Sequence, residues 1–151
     1  MTIKDRLTEL GITLPAAAAP AGSYVPTVRT GNLLFTAGQL PYVDGRLPAT
    51  GRVGAEVSPE DAKGYARQAG LNLLAVVEAA VGLDNVEQVV KVVGFVASAE
   101  GFTGQPGVVN GVSDLLAEVF GEAGRHARSA VGVAELPLGA PVEVEAILQV
   151  R

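Results

Sequence analysis

The apolar positions of this chain change period several times, and each change marks a predicted element. From Thr2 to Leu10, charged and apolar residues recur at helical spacing and Gly11 follows, which predicts a short amphipathic helix over residues 2–10. The stretch from Pro15 to Gly22 is proline and alanine, an extended linker and not a boundary between domains. Two strands are predicted next, Tyr24–Arg29 and Asn32–Gln39, joined at Thr30-Gly31, where glycine suits a tight turn. Between Tyr42 and Gly54, the punctuation by Asp44-Gly45, Pro48 and Gly51 predicts turns around one short strand.

Ser58-Pro59-Glu60-Asp61 then opens a helix. A serine hydroxyl caps free amides, proline suits the first helical position, and acids sit well at the positive end of the dipole. Ala62, Ala66, Ala69, Leu73, Val76, Val77 and Ala80 share one face of it, and Gly82 ends it. The valine-rich run Val86–Ala97 reads as a long buried strand. Val108, Val109, Val112, Leu115, Leu116, Val119 and Phe120 return to the 3.6-residue period, closed by Gly121. Two last strands run from about Ala127 to Ala134 and from Pro141 to Val150. In the second, Val142, Val144, Ala146, Leu148 and Val150 form one face, with Glu143, Glu145 and Gln149 on the other.

This order of strands, helix, strand, helix, strands predicts an α+β sheet with its helices on one face. The second face of such a sheet is left bare. Hydrophobic residues make up 48% of the chain and charged residues 18%, too apolar a balance for a whole sheet face to sit comfortably in water. Several subunits packed face inward would cover it, so an oligomer is expected.

Composition then narrows the chemistry. The 151 residues suit one domain, residues 1–151, in which residues 1–22 form an N-terminal helix and linker extension. Having no cysteine rules out disulfides, thiol nucleophiles and zinc–thiolate sites together. His126 is the one imidazole, which excludes a multi-histidine metal centre. Net charge is −5 and the eleven Lys and Arg are scattered, so a phosphate backbone finds no basic stripe and nucleic acid is not expected as a partner. The N-terminus lacks a signal-peptide core, and no apolar run approaches a membrane span. A cytoplasmic protein with no membrane partner is expected.

Three stretches gather the remaining candidates: Gly31–Pro41, which carries Gly38; Arg125–Val131, which holds two arginines and the histidine; and Leu136–Ile147, a turn into a strand with two carboxylates on one face. Ala127-Arg-Ser-Ala-Val131, followed by Leu136-Pro137 and Val142-Glu-Val-Glu-Ala-Ile147, together with Gly31-Asn32 and Gly38-Gln39, resembles the RidA/YjgF family. The resemblance covers nearly the whole chain beyond Pro20 and is similar to one longer branch whose members are mostly of unassigned function. It implies a chorismate-mutase-like subunit with a mixed, largely antiparallel six-stranded sheet and two helices on one face. It also implies a homotrimer with a central barrel and a cleft at each subunit interface.

The activity so implied is hydrolysis of reactive enamine/imine intermediates, such as 2-aminoacrylate, to the 2-keto acid and ammonia, with no cofactor or metal. By the same resemblance Arg128 binds the substrate carboxylate and Glu143 holds the attacking water, with Tyr24, Gly38 and Asn110 lining the site. A guanidinium fork matches a carboxylate, so a small carboxylate-bearing metabolite is the expected partner. An imine hydrolyses unaided in water, so positioning matters more than a strong nucleophile. The chain departs from the family at Ala37, where many active members carry a hydroxyl, at Ala130 and Pro26, and at His126, where archetypal members have proline. A non-catalytic binder or sensor of small carboxylic acids on the same scaffold is the alternative, and Ala37 favours it. The acidic charge argues against a third reading, ribonuclease activity.

Each candidate keeps a plainer reading. Arg128 could be a solvated strand arginine, Glu143 and Glu145 the wet face of a strand, and His126 a surface or interface histidine. Tyr24 and Gly38 could serve packing, and Asn110 the free amides near a helix start.

Overall fold

The computed structural model describes residues 1–20 and 22–151. Three α-helices, α1 (Ile3–Glu9), α2 (Pro59–Val81) and α3 (Gln105–Phe120), accompany five strands, β1 (Thr27–Thr30), β2 (Leu33–Thr36), β3 (Val86–Ala97), β4 (Ala127–Val133) and β5 (Val142–Val150). The strands form one sheet in the order β1-β2-β5-β3-β4. All neighbours are antiparallel except β3 and β4, which run parallel with α3 as their crossover. This is an α+β fold with a mixed sheet.

Local chemistry sets the helix ends. Thr2 Oγ1 accepts from the Asp5 amide at 3.1 Å and the Asp5 carboxylate accepts from the Thr2 amide at 3.2 Å, a reciprocal cap for α1. Ser58 Oγ accepts from the Asp61 amide at 3.1 Å, and Gly82 closes α2 at a φ of 81°. The N-terminal helix is tied down at both ends of its turn. Arg6 Nε donates to the Glu118 carbonyl at 2.9 Å, and the Ile3 amide donates to Asp84 Oδ1 at 2.7 Å.

β5 lies between β2 and β3, and its alternation decides the layering. Val142, Val144, Ala146, Leu148 and Val150 are buried beneath the helices, while Glu143, Glu145, Ile147 and Gln149 turn to the open face. Register carries that open face outward to Phe95 and Val131 on one side and to Phe35 and Val28 on the other. Val28, Leu33, Phe35 and Val131 are exposed there by 37% to 55%. This apolar sheet face is left uncovered by the described residues.

The structure corrects several expectations. The sheet has five strands and not six, because residues 42–54 form only isolated bridges, Val43 with Arg46 and Val53 with Val57 and Ser98. Left-handed backbone at Asp44, Gly45, Gly51 and Gly54 breaks any longer ladder there. The helices number three in all: α2 and α3 pack on the sheet, and the N-terminal helix, α1, lies against α3. β1 starts at Thr27, after Pro26, and β2 stops at Thr36, with Gln39 rejoining β5 in a separate bridge to Val144. The buried stripe of α2 ends at Val77, and Ala80 is exposed. Ala21, within the expected linker, lies outside the described residues.

Glycines let α2 and α3 approach closely. A methyl group on Gly111 would stand 2.1 Å from the Lys63 carbonyl oxygen, whereas one on Gly64, exposed in the middle of α2, would touch nothing within 4 Å. Gly111→Ala is therefore expected to destabilise by about 1–3 kcal/mol or more through backbone overpacking. Gly64→Ala should stabilise by about 0.5–1 kcal/mol through helix propensity. Urea unfolding of the two variants checks both signs.

Candidate functional site

The candidate residues form two groups. In the first, Arg128 shares its register position with Val92 on β3 and Ala146 on β5, so its side chain leaves β4 on the helix-covered face. There it meets α3. Arg128 Nη1 donates to Asn110 Oδ1 at 2.7 Å and to Ser113 Oγ at 3.2 Å, and Nη2 donates to the Pro106 carbonyl at 3.4 Å. A guanidinium has five N–H groups. Its Nε–H and one Nη2–H thus remain without a partner among the described residues. Arg128 is half-buried and borders an open hollow of about 310 Å³ with Ser113, Asp114, Gly124, Arg125 and His126.

Glu143 anchors the second group. It is half-buried on the open sheet face, opposite Phe95. Burial, and after it the charge of Glu145, pushes its carboxyl above the ordinary glutamate value. A proton is therefore held more readily there than on a surface glutamate. The carboxyl lies against Gly38, so closely that a methyl group on Gly38 would stand 2.6 Å from Glu143 Oε2. The break between β2 and the Gln39 bridge falls at this contact. A cavity of about 310 Å³ opens in front of it, walled by Tyr24, Pro26, Gln39, Tyr42, Leu138 and the linker residues Ala18–Pro20.

The structure thus brings Arg128 together with Asn110, and Glu143 together with Gly38 and Tyr24, but it does not join the two groups. Glu143 is level with Val131, three residues along β4 from Arg128 and two strands away. With strands about 4.8 Å apart and about 3.3 Å per residue, the two Cα atoms are separated by roughly 14 Å, and the side chains leave opposite faces. Sequence reasoning missed Ser113, Gln39 and Leu138. Ser113 follows Asn110 by three residues on α3, so helical spacing already put it on the same side. Leu138 carried no such signal, yet it holds a φ of 60° and is 70% exposed at the cavity rim.

Among the described residues no three His, Cys, Asp or Glu side chains converge as a metal site requires, and no helix is long and apolar enough to cross a membrane. Residues 4–146 match the family model described as "YjgF/chorismate_mutase-like, putative endoribonuclease". The chain belongs to the RidA/YjgF family. Protein TCP17 of Trypanosoma cruzi is 49% identical over 151 residues, which cover 99% of this chain and 94% of that protein. The 2-iminobutanoate/2-iminopropanoate deaminase of Escherichia coli (strain K12) is 39% identical over 133 residues, 87% of this chain and 90% of that enzyme. In structure, the Agrobacterium tumefaciens protein Atu1372, of unknown function, matches with a TM-score of 0.91 at 47% identity, covering 99% of this chain and 92% of that one. The YjgF gene product of Escherichia coli matches with a TM-score of 0.67 at 35% identity, covering 89% and 94%. The RidA/YjgF family thus includes both named imine deaminases and a near relative of unknown function.

Two outcomes follow from the Glu143 environment. Because its carboxyl binds protons more tightly when folded, the stability it contributes is present below its ordinary value of 4.5 and is lost as pH rises through the elevated one. Glu143→Gln should therefore melt higher than wild type at neutral pH and lose that advantage in acid, as thermal melts across pH will read. In Gly38→Ala the atom displaced is the far end of a flexible side chain, so the variant should melt close to wild type. Its Glu143 carboxyl, followed by carbon NMR, should titrate nearer the ordinary glutamate range.

Proposed function

We propose that this protein hydrolyses small 2-imino acids, the tautomers of enamines such as 2-aminoacrylate, to 2-keto acids and ammonia. The reaction would take place in clefts between protomers of a homotrimer. The observation that carries this reading is the division of the candidate residues into a cationic group and a carboxyl group on opposite faces of one sheet. A single chain cannot place both on one small substrate, but two chains meeting across the bare sheet face and its edge can. The 39% identity to an enzyme named as a 2-imino acid deaminase supports the same chemistry.

In this scheme Arg128 presents its Nε–H and remaining Nη2–H to the substrate carboxylate, with the guanidinium held on its other side by Asn110 and Ser113. Glu143 of the neighbouring protomer holds a water against the imine carbon and accepts its proton as the C–O bond forms. Passed to the nitrogen, that proton gives the carbinolamine; the new hydroxyl then yields its own proton through Glu143 to the same nitrogen, and the C–N bond breaks as the C=O bond forms and ammonia leaves. Gly38 keeps room for the carboxyl, and Tyr24 closes the outer wall. The chemistry asks for no metal or cofactor, and the cytoplasm, where such intermediates arise, suits it.

A second reading, binding of small carboxylic acids without turnover, is favoured by Ala37, which brings no hydroxyl to the strand end beside Gly38. Ribonuclease activity is disfavoured by the net charge of −5.

The test is 2-keto acid release from an imine generated in place by an amino acid oxidase. Wild type should accelerate release, and Arg128→Ala should slow the catalysed rate by roughly a hundredfold through lost positioning. Glu143→Gln should lose turnover while still binding the keto acid. Saturable 2-keto acid binding with no acceleration would turn the assignment to the binder, and equal rates for wild type and Arg128→Ala would remove Arg128 from the mechanism.

A further inference from the structure

Behind Arg128 lies a second layer of hydrogen bonds that imine hydrolysis by Arg128 and Glu143 does not itself require. His126 Nδ1 is 2.6 Å from the Gly124 carbonyl, and its Nε2 is 2.9 Å from Ser113 Oγ. Ser113 Oγ is in turn 3.2 Å from Arg128 Nη1. A carbonyl oxygen only accepts, so Nδ1 carries the proton and donates to Gly124. In the neutral ring Nε2 is then an acceptor, and the single Ser113 hydroxyl hydrogen points to it. That leaves a lone pair of Ser113 Oγ facing Arg128 Nη1. Each donor meets an acceptor in one direction only, Arg128 to Ser113 to His126 to Gly124.

We propose that His126 is a positioning residue for substrate binding, acting through Ser113 to fix the rotation of the Arg128 guanidinium. The inference rests on the reading of Arg128 as the carboxylate-binding group. Without Ser113 the guanidinium would keep Asn110 on one Nη1 hydrogen and only the long 3.4 Å contact of Nη2 with the Pro106 carbonyl, a loose hold on its plane. Ser113 holds the second hydrogen of the same nitrogen and locks the plane, so the unpartnered Nε–H and Nη2–H edge keeps one direction. Ser113 can do this reliably only while its own hydrogen is claimed by His126. A hydroxyl free to rotate would at times turn its hydrogen toward the guanidinium.

The charged groups around the ring are Arg128 on β4, Asp114 on α3, and Arg125 in the turn before β4, which pairs with Glu122 at 3.6 Å. Lys91, on the neighbouring strand β3, is level with Ala127 and so faces the opposite side of the sheet.

The test uses the full-length protein and pyruvate as the probe, with dissociation constants from isothermal titration calorimetry. At pH 8, Ser113→Ala and His126→Phe should each weaken pyruvate binding roughly fivefold to tenfold, the loss expected for one ordinary hydrogen bond. His126→Gln should stay within about twofold of wild type, since its amide oxygen can accept the Ser113 hydroxyl in place of Nε2. Binding by Ser113→Ala and His126→Phe that matches wild type, while Arg128→Ala abolishes it, overturns this inference and leaves the Arg128 reading standing. His126→Gln as weak as His126→Phe also overturns it, since the ring would then serve packing alone. Unchanged binding by Arg128→Ala sinks the reading of Arg128 itself.

Discussion

A strand turns successive side chains to opposite faces, and in this chain that rule separates the two groups of candidate residues. Val144, Ala146 and Leu148 commit β5 to the helices on one side, which sends Glu143 and Glu145 to the other. The parallel register of β4 with β3 sets Arg128 level with Val92, on the helix side. A slip of β5 by one residue would reverse its faces and bury Glu143 and Glu145, and a slip of β4 would take Arg128 away from Asn110, so register maintains the separation. Glu143 and Arg128, the proposed acid–base and anion-binding groups, are therefore held apart in any single folded chain. Under the proposed mechanism, assembly is what makes the site.

Each group is built by close approach. Gly38 lets a carboxyl enter space that any side chain would fill, and the resulting burial raises the proton affinity of Glu143. Arg128 is gripped along one side by α3 and left open along the other. Gly70 and Gly111 bring α2 and α3 together, with side-chain and backbone atoms close to where a methyl would stand, and so fix α3, which carries Asn110 and Ser113. The bare face between the groups carries Val28, Phe35 and Val131, which make contact with a second copy favourable.

Much of this is legible in the sequence where the signal is local. Ser58 and Gly82 bound α2 by chemistry that acts within a few residues, and the valine run of β3 has the limits expected of it. The alternation along β5 is enough by itself to separate Glu143 from its apolar neighbours. Features that join distant segments are not legible. Nothing near Gly38 shows that Glu143 will lie against it, and nothing near His126 shows that a serine one helix earlier will face its Nε2. The sixth strand is lost to left-handed backbone at Asp44 and Gly51, a cost that hydrophobic pattern does not register. Leu138 takes a positive φ without being glycine, and its exposure at the cavity rim has no counterpart in the local sequence.

The most direct measurement is complementation between two inactive chains. Arg128→Ala and Glu143→Gln, carrying different tags and produced together, are purified as mixed oligomers and assayed for imine hydrolysis. Each homogeneous variant should be inactive, and the mixture should regain about a quarter of wild-type activity, because random mixing gives that share of interfaces an intact residue from each side. Mixed oligomers that form and stay inactive, or a monomer with full activity, would contradict a site shared between chains.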